Sequence, residues 1–113
     1  AVKGVPPRVM GIGPAVAIPA VLKQCNLTVD DIDVYELNEA FAAQMLACLH
    51  DVPLDRDKLN VNGGAIALGH PIGATGARIV VTLVHELQRR GAKRGLAALC
   101  MSGGMGMAME FER

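Results

Sequence analysis

The sequence predicts an α/β domain in which a central mixed β-sheet is covered by helices. Three observations carry this. Short apolar runs of strand length, such as Leu96–Cys100, alternate with stretches of helical period, of which Ile79, Val80, Leu83, Val84 and Leu87 form the clearest. Thirteen glycines, most of them after residue 62, punctuate these stretches. The 113 residues are 51% apolar with one Tyr, two Phe and no Trp, enough for one core built from aliphatic side chains and too few for two domains. The whole chain, 1–113, is therefore read as a single domain.

The elements follow in order. Residues 1–10 are poorly patterned. Gly11–Pro14 reads as a turn into a helix that begins near Val16, buries Ala20, Val21, Leu22 and Cys25, and ends at Asn26. Thr28–Asp31 has the form of a capping sequence for one short turn. Val34–Leu37 is a strand, after which Asn38 stands where a helix N-cap belongs, with Glu39 against the helix dipole. That helix runs to His50 with Phe41, Met45, Leu46 and Leu49 at helical spacing. A polar connection, Asp51–Lys58, leads to a strand-like Leu59–Asn62 and then to the glycine-rich stretch Gly63–Gly76. The helix through Ile79 and Leu87 stops at Gly91, after Arg89 and Arg90. Leu96–Cys100 is a buried strand, Ser102–Gly106 a turn, and Met107–Phe111 a final alternating strand.

Charge and composition narrow the function. Eleven basic and eleven acidic residues balance, and no basic face is evident, which argues against a nucleic-acid partner. The apolar stretches are too short to span a bilayer. No secretory signal opens the sequence, and the C-terminus is not a peroxisomal tripeptide of the S-K-L type. Cys25, Cys48 and Cys100 are odd in number and widely spaced. They suit a reducing compartment rather than a disulfide framework or a zinc site. The chain reads as a piece of something longer.

Three places bring reactive groups to strand ends, where α/β sheets build their sites. Asn38 is locally an N-cap, and functionally an amide for a carbonyl oxygen or a water. His70, between Gly69 and Pro71, is held as an aimed general base must be; His50 and His85 read as surface residues. Cys100 ends an apolar strand beside Ser102-Gly103-Gly104, whose N–H groups form a nest that favours a thiolate or an adjacent oxyanion. Cys25 and Cys48 fit the role of small hydrophobes. The glycine-rich stretch has neither a P-loop lysine nor G-x-G-x-x-G spacing. The Cys–His combination lacks the local signatures of cysteine hydrolases.

Asn38-Glu39-Ala40-Phe41-Ala42, Gly63 to Arg78, and Cys100 to Gly106 resemble, in order and spacing, the three C-terminal signatures of the thiolase family. Met10–Pro14 resembles the segment that precedes them. The likeness implies a thiolase-like C-terminal half. Such enzymes cleave 3-ketoacyl-CoA with coenzyme A or condense two acyl-CoA units, with CoA and acyl-CoA as substrates and no resident cofactor or metal. By this resemblance His70 activates the nucleophilic cysteine, which lies in the absent N-terminal half. Cys100 moves the α-proton, Asn38 holds a water that forms an oxyanion hole with His70, and Phe41 lies along the substrate path. The family uses the backbone N–H two residues after the second cysteine in a second oxyanion hole; many members have glycine there, and this chain has Ser102. The likeness further implies a dimer or tetramer for the complete enzyme, in the cytosol, mitochondrial matrix or peroxisome. The isolated 113 residues are expected to be inactive and to expose an apolar face. A non-catalytic relative that binds acyl-CoA or lipid, or serves as a scaffold, is the alternative.

Overall fold

A computed structural model describes residues 1–113. Its four-stranded sheet has the order β1-β4-β3-β2, with β1 Val2–Gly4, β2 Val34–Leu37, β3 Arg94–Met101 and β4 Met105–Glu112. β2 and β3 are parallel, with Leu37 opposite Ala98; β4 is antiparallel to both β3 and β1. The sheet is mixed, as expected. The parallel pair needs a long crossover, and α2 (Ala42–Asp51), α3 (Ala65–Leu68) and α4 (Thr75–Arg90) supply it.

Strand alternation sorts side chains to two faces. Tyr35, Leu37, Leu96, Ala98 and Ala108 join Ile18, Val21, Leu22, Met45 and Cys48 in a core of fifteen buried residues under α2 and α1 (Gly13–Cys25). Val34 and Ala97 point the other way and pack with Ile79, Leu83 and Leu87 of α4. Each fully buried Leu or Ile contributes about 1.5–3 kcal/mol, so the first face carries most of the apolar stabilisation. The periodic Ile79–Leu87 helix is present, and Gly91 ends it in the left-handed conformation (φ 63°).

Several expectations change. Residues 1–10, poorly patterned in sequence, carry two elements: β1 pairs with β4, and a 3-10 segment covers Pro7–Ile12. α1 starts at Gly13 rather than near Val16, so Pro19 lies inside it and gives up one backbone bond on an exposed side. The early start follows from close approach. A Cβ on Gly13 would stand 2.5 Å from the Met105 carbonyl oxygen and 2.7 Å from the Gly106 Cα, so α1 abuts the β3–β4 hairpin through two glycines. Cys25 is exposed at the helix end rather than buried.

Leu59–Asn62 is not a strand. Leu59 makes one parallel bridge to Tyr35, and Asn60 then takes a left-handed conformation (φ 48°) that ends the pairing. Asn38 is not a helix cap either. α2 begins four residues later, with Phe41 in extended geometry before it (φ −148°, ψ 145°).

Candidate active site

The site grows from the carboxyl ends of β2 and β3. The Asn38 N–H donates to the Ala98 carbonyl at 2.9 Å, which places Asn38 beside the segment of β3 that ends in Cys100. Asn38 is fully buried. It shares the side of β2 that carries Val34 and Glu36, facing α4, and its amide Nδ2 lies 3.3 Å from His70 Nε2. Its Oδ1 has no partner within the chain. Asn38 and His70, 32 residues apart in sequence, are thus brought together.

The proton inventory of the neighbouring Thr75 fixes the His70 tautomer. Its hydroxyl donates to the Pro71 carbonyl at 2.8 Å, so towards His70 Nδ1, at 2.7 Å, it can only accept. Nδ1 therefore carries the proton and Nε2 the lone pair, and the Asn38 amide donates towards that lone pair. His70 itself is exposed, whereas Thr75 is 1% exposed. A buried hydroxyl in the first turn of α4 thus orients a ring that remains reachable. Sequence reasoning does not find Thr75; its only signal is a hydroxyl five residues after the histidine, at the start of a helix.

Cys100 is buried at the end of β3, opposite Gly106 across the β3–β4 ladder. It lies on the α1 side of the sheet, with Leu96 and Ala98, and makes no hydrogen bond to His70 or Asn38. A thiolate favoured by the glycine turn is not what the structure shows: burial pushes the Cys100 thiol up, and its own backbone N–H opposes this only in part. Ser102 is exposed. Positive φ falls on Gly103 (82°) and Gly104 (88°) that follow it, so the serine Cβ costs the turn no backbone strain. Phe41 is also exposed, at 63%, together with Ile66, Leu68 and Ile72 of the His70 segment. Cys48 is buried, with its thiol 3.5 Å from the Gly11 carbonyl and pushed up by burial, in keeping with a packing role.

Two further polar groups frame the pair. Glu39 does not sit against the α2 dipole; its carboxylate accepts from the Ile66 N–H at 2.9 Å and from Asn60 Nδ2 at 3.0 Å. Glu36, on the α4 side of β2, is 1% exposed with Oε1 unpartnered, and burial pushes its carboxyl up to about 7 against the pull of Arg78. A groove of about 580 Å³ opens between α2 and residues 56–67, lined by Met45, Leu46, Leu49, Leu59 and Ile66, but neither His70 nor Cys100 borders it.

An amide and an imidazole meet at the end of β2, and a buried thiol stands at the end of the adjacent β3; these are the groups assigned to the candidate site. Comparison with known proteins makes the assignment specific: residues 1–113 match the family model described as thiolase, C-terminal domain, and the chain belongs to that family. It is 59% identical over 112 residues to a peroxisomal 3-ketoacyl CoA thiolase 1 of Petunia hybrida, covering 97% of this chain and 24% of the petunia protein. Among solved structures it is similar to the acetyl-CoA acetyltransferase of Bacillus anthracis, with a TM-score of 0.97, 54% identity, and coverage of 99% of this chain and 28% of that one. A human mitochondrial 3-ketoacyl-CoA thiolase in complex with CoA gives a TM-score of 0.95 at 51% identity, covering 98% and 28%. The chain thus spans about a quarter of the length of the relatives it matches.

Proposed function

We propose that this chain is the C-terminal catalytic domain of a thiolase, about a quarter of the complete enzyme rather than the expected half, and that the complete enzyme transfers acyl groups between acyl-CoA and CoA. The observation that carries the reading is the Asn38–His70 contact at the end of β2, next to the strand that ends in Cys100. With Nδ1–H given to Thr75, His70 Nε2 keeps its lone pair and, by giving up the long 3.3 Å contact from the Asn38 amide, can take the proton of a nucleophilic cysteine supplied from outside these residues. Once protonated, the same Nε2–H can donate to the oxyanion formed when the thiolate attacks the substrate carbonyl. The buried Asn38 Oδ1, unpartnered within the chain, suits a water that would donate to the same oxygen. In cleavage, the Cα–Cβ bond breaks, its electron pair forms the enolate of acetyl-CoA, and Cys100 returns a proton to that carbon. In condensation Cys100 removes it. Burial keeps the Cys100 thiol protonated at neutral pH, the state cleavage requires. The Ser102 N–H is assigned to the second oxyanion, and exposed Phe41 to the substrate path.

The similarity to a CoA-bound relative supports CoA and acyl-CoA as substrates, and the chemistry calls for no resident cofactor. The partner is the N-terminal half that supplies the nucleophile, and the complete enzyme is assigned as a dimer or tetramer. Peroxisomal and mitochondrial relatives support an intracellular, reducing compartment. No helix is long and apolar enough to cross a membrane.

The test is a chimera in which this chain replaces the corresponding quarter of the B. anthracis enzyme, assayed for cleavage of acetoacetyl-CoA. Turnover is expected. Cys100→Ser should lower it by roughly 10²–10⁴-fold while single-turnover acylation of the nucleophile persists. A folded chimera that binds CoA esters without turnover would favour the binding or scaffold reading instead.

A further inference from the structure

The end of β2 has no neighbouring strand on its outer edge beyond the single bridge at Leu59. Asn60 takes the place of one. Its N–H donates to the Tyr35 carbonyl at 2.8 Å, and its side chain then pairs with Leu37, two residues further on, as a backbone would. Oδ1 accepts from the Leu37 N–H and Nδ2 donates to the Leu37 carbonyl, each at 2.9 Å. The left-handed backbone of Asn60 turns the side chain back onto β2, and asparagine is among the few residues that take this conformation readily.

The second Nδ2 proton goes to Glu39 Oε1 at 3.0 Å, and Glu39 Oε2 accepts from the Ile66 N–H at 2.9 Å. The carboxylate occupies the space a Cβ on Gly64 would need, so the loop closes directly over it. The result is one chain of bonds: Leu37 to Asn60, Asn60 to Glu39, Glu39 to Ile66. It grips the residues on both sides of Asn38 and reaches the start of the segment that ends in His70.

We propose that Glu39 and Asn60 are positioning residues that set the separation of the Asn38 amide from His70 Nε2. This rests on the reading of that pair as catalytic. The donors and acceptors admit one arrangement. Both carboxylate oxygens face N–H groups, so Glu39→Gln must turn its NH₂ towards either Asn60 Nδ2 or the Ile66 N–H, donor against donor. Asn60→Asp removes the donor to Leu37 and sets a second carboxylate against Glu39. In the double variant the amide introduced at position 39 can donate to the new carboxylate and still accept from Ile66, so the contact between positions 39 and 60 returns while that to the Leu37 carbonyl stays lost.

The experiment has two arms. In the chimera, Glu39→Gln and Asn60→Asp should each lower kcat by up to about 100-fold with KM for CoA unchanged, and the double variant should regain about tenfold over Asn60→Asp. In this chain, NMR should show the cross-relaxation between the Asn38 side-chain amide and the His70 ring weakened in each single variant and partly restored in the double one. Cross-strand β3–β4 signals report on folding. Asn60→Gly, which keeps the left-handed backbone without the side chain, serves where a charged variant fails to fold. Wild-type kcat and an unchanged Asn38–His70 signal in folded Glu39→Gln would overturn the proposal. A wild-type chimera without turnover counts against the thiolase reading, and the NMR arm still decides the positioning.

Discussion

The two faces of the sheet are finished in different ways. Towards α1 and α2, fifteen buried side chains form a core with no charged member. Towards α4, five buried apolar residues share the space with buried Glu36, Asn38, Thr75 and Glu86. The first face holds the fold together and carries the buried Cys100 thiol at the end of β3, and the second buries carboxyl, amide and hydroxyl groups beside His70. The two glutamates sharpen the contrast. Glu36 has burial without a direct partner and is pushed up to about 7. Glu86 is held down to about 2 by Arg89, then Asn62 and Arg90, with Arg89 Nε and Asn62 Nδ2 each 2.9 Å from Oε2. Burial alone does not decide the charge of a carboxyl; the partners do.

The largest effect is expected on the closed face. Ile18, 1% exposed, packs within the large core, and Ile18→Ala should cost about 2–5 kcal/mol in urea unfolding. A loss well under that would mean the two faces are equally loosely packed. Next comes Glu36. A carboxyl whose folded pKa is raised binds its proton more tightly when folded, so stability is greatest at low pH and falls as pH rises from about 4.5 through about 7. Arg78, Glu39 and Glu86 act on it from neighbouring elements. Glu36→Gln should abolish that decline, gaining on the order of 2 kcal/mol over the native chain at about pH 8.5 relative to about pH 4.5. Parallel stability curves for the two proteins would sink this account.

Glu86 has the opposite sign. Its lowered pKa stabilises the fold above about 4.5, and that contribution is lost as pH falls towards about 2. Arg89 is 65% exposed, so the effect of Glu86→Gln should stay at about 1 kcal/mol at neutral pH and shrink with added salt. The smallest effect is expected on the outer side of α4. Val81 is 56% exposed, and Val81→Ser should shift stability by less than about 0.5 kcal/mol in this chain. A larger loss would show that this side is already covered, for example by self-association.

What can be read from the sequence follows the range of the interactions involved. Helix α4 and strand β4 are legible because each is written in a continuous periodic run, β3 because it is an unbroken apolar one, and Gly91 marks a stop that only a left-handed residue satisfies. His70, Asn38, Cys100, Ser102 and Phe41 stand out in the sequence, and the first two meet as a pair. The supports of that pair are not legible. Thr75, Asn60 and Glu39 act across turns and loops through single hydrogen bonds, which leave no period in the sequence. Leu59–Asn62 misleads for the same reason: its alternation resembles a strand, but a side chain does the pairing. β1 leaves no trace because three exposed residues have no apolar pattern, and only β4 defines them.

The place of β4 in the sheet bears on how the molecule comes into being. The last strand in the sequence lies between β3 and β1, and the backbone N–H of Ala108 reaches the carbonyl of Ala1. During synthesis β1 has no partner among these residues until nearly all those between the two have been made. The β1–β4–β3 part of the sheet must therefore wait for β4, and so must the packing of α1, which abuts the β3–β4 hairpin at Gly13, while α4 can pack on β2 beforehand. A ribosome stalled just before Met105 would hold helices and loops without the strand that joins β1 to β3. Cys100 would then have no cross-strand neighbour until Gly106 has emerged.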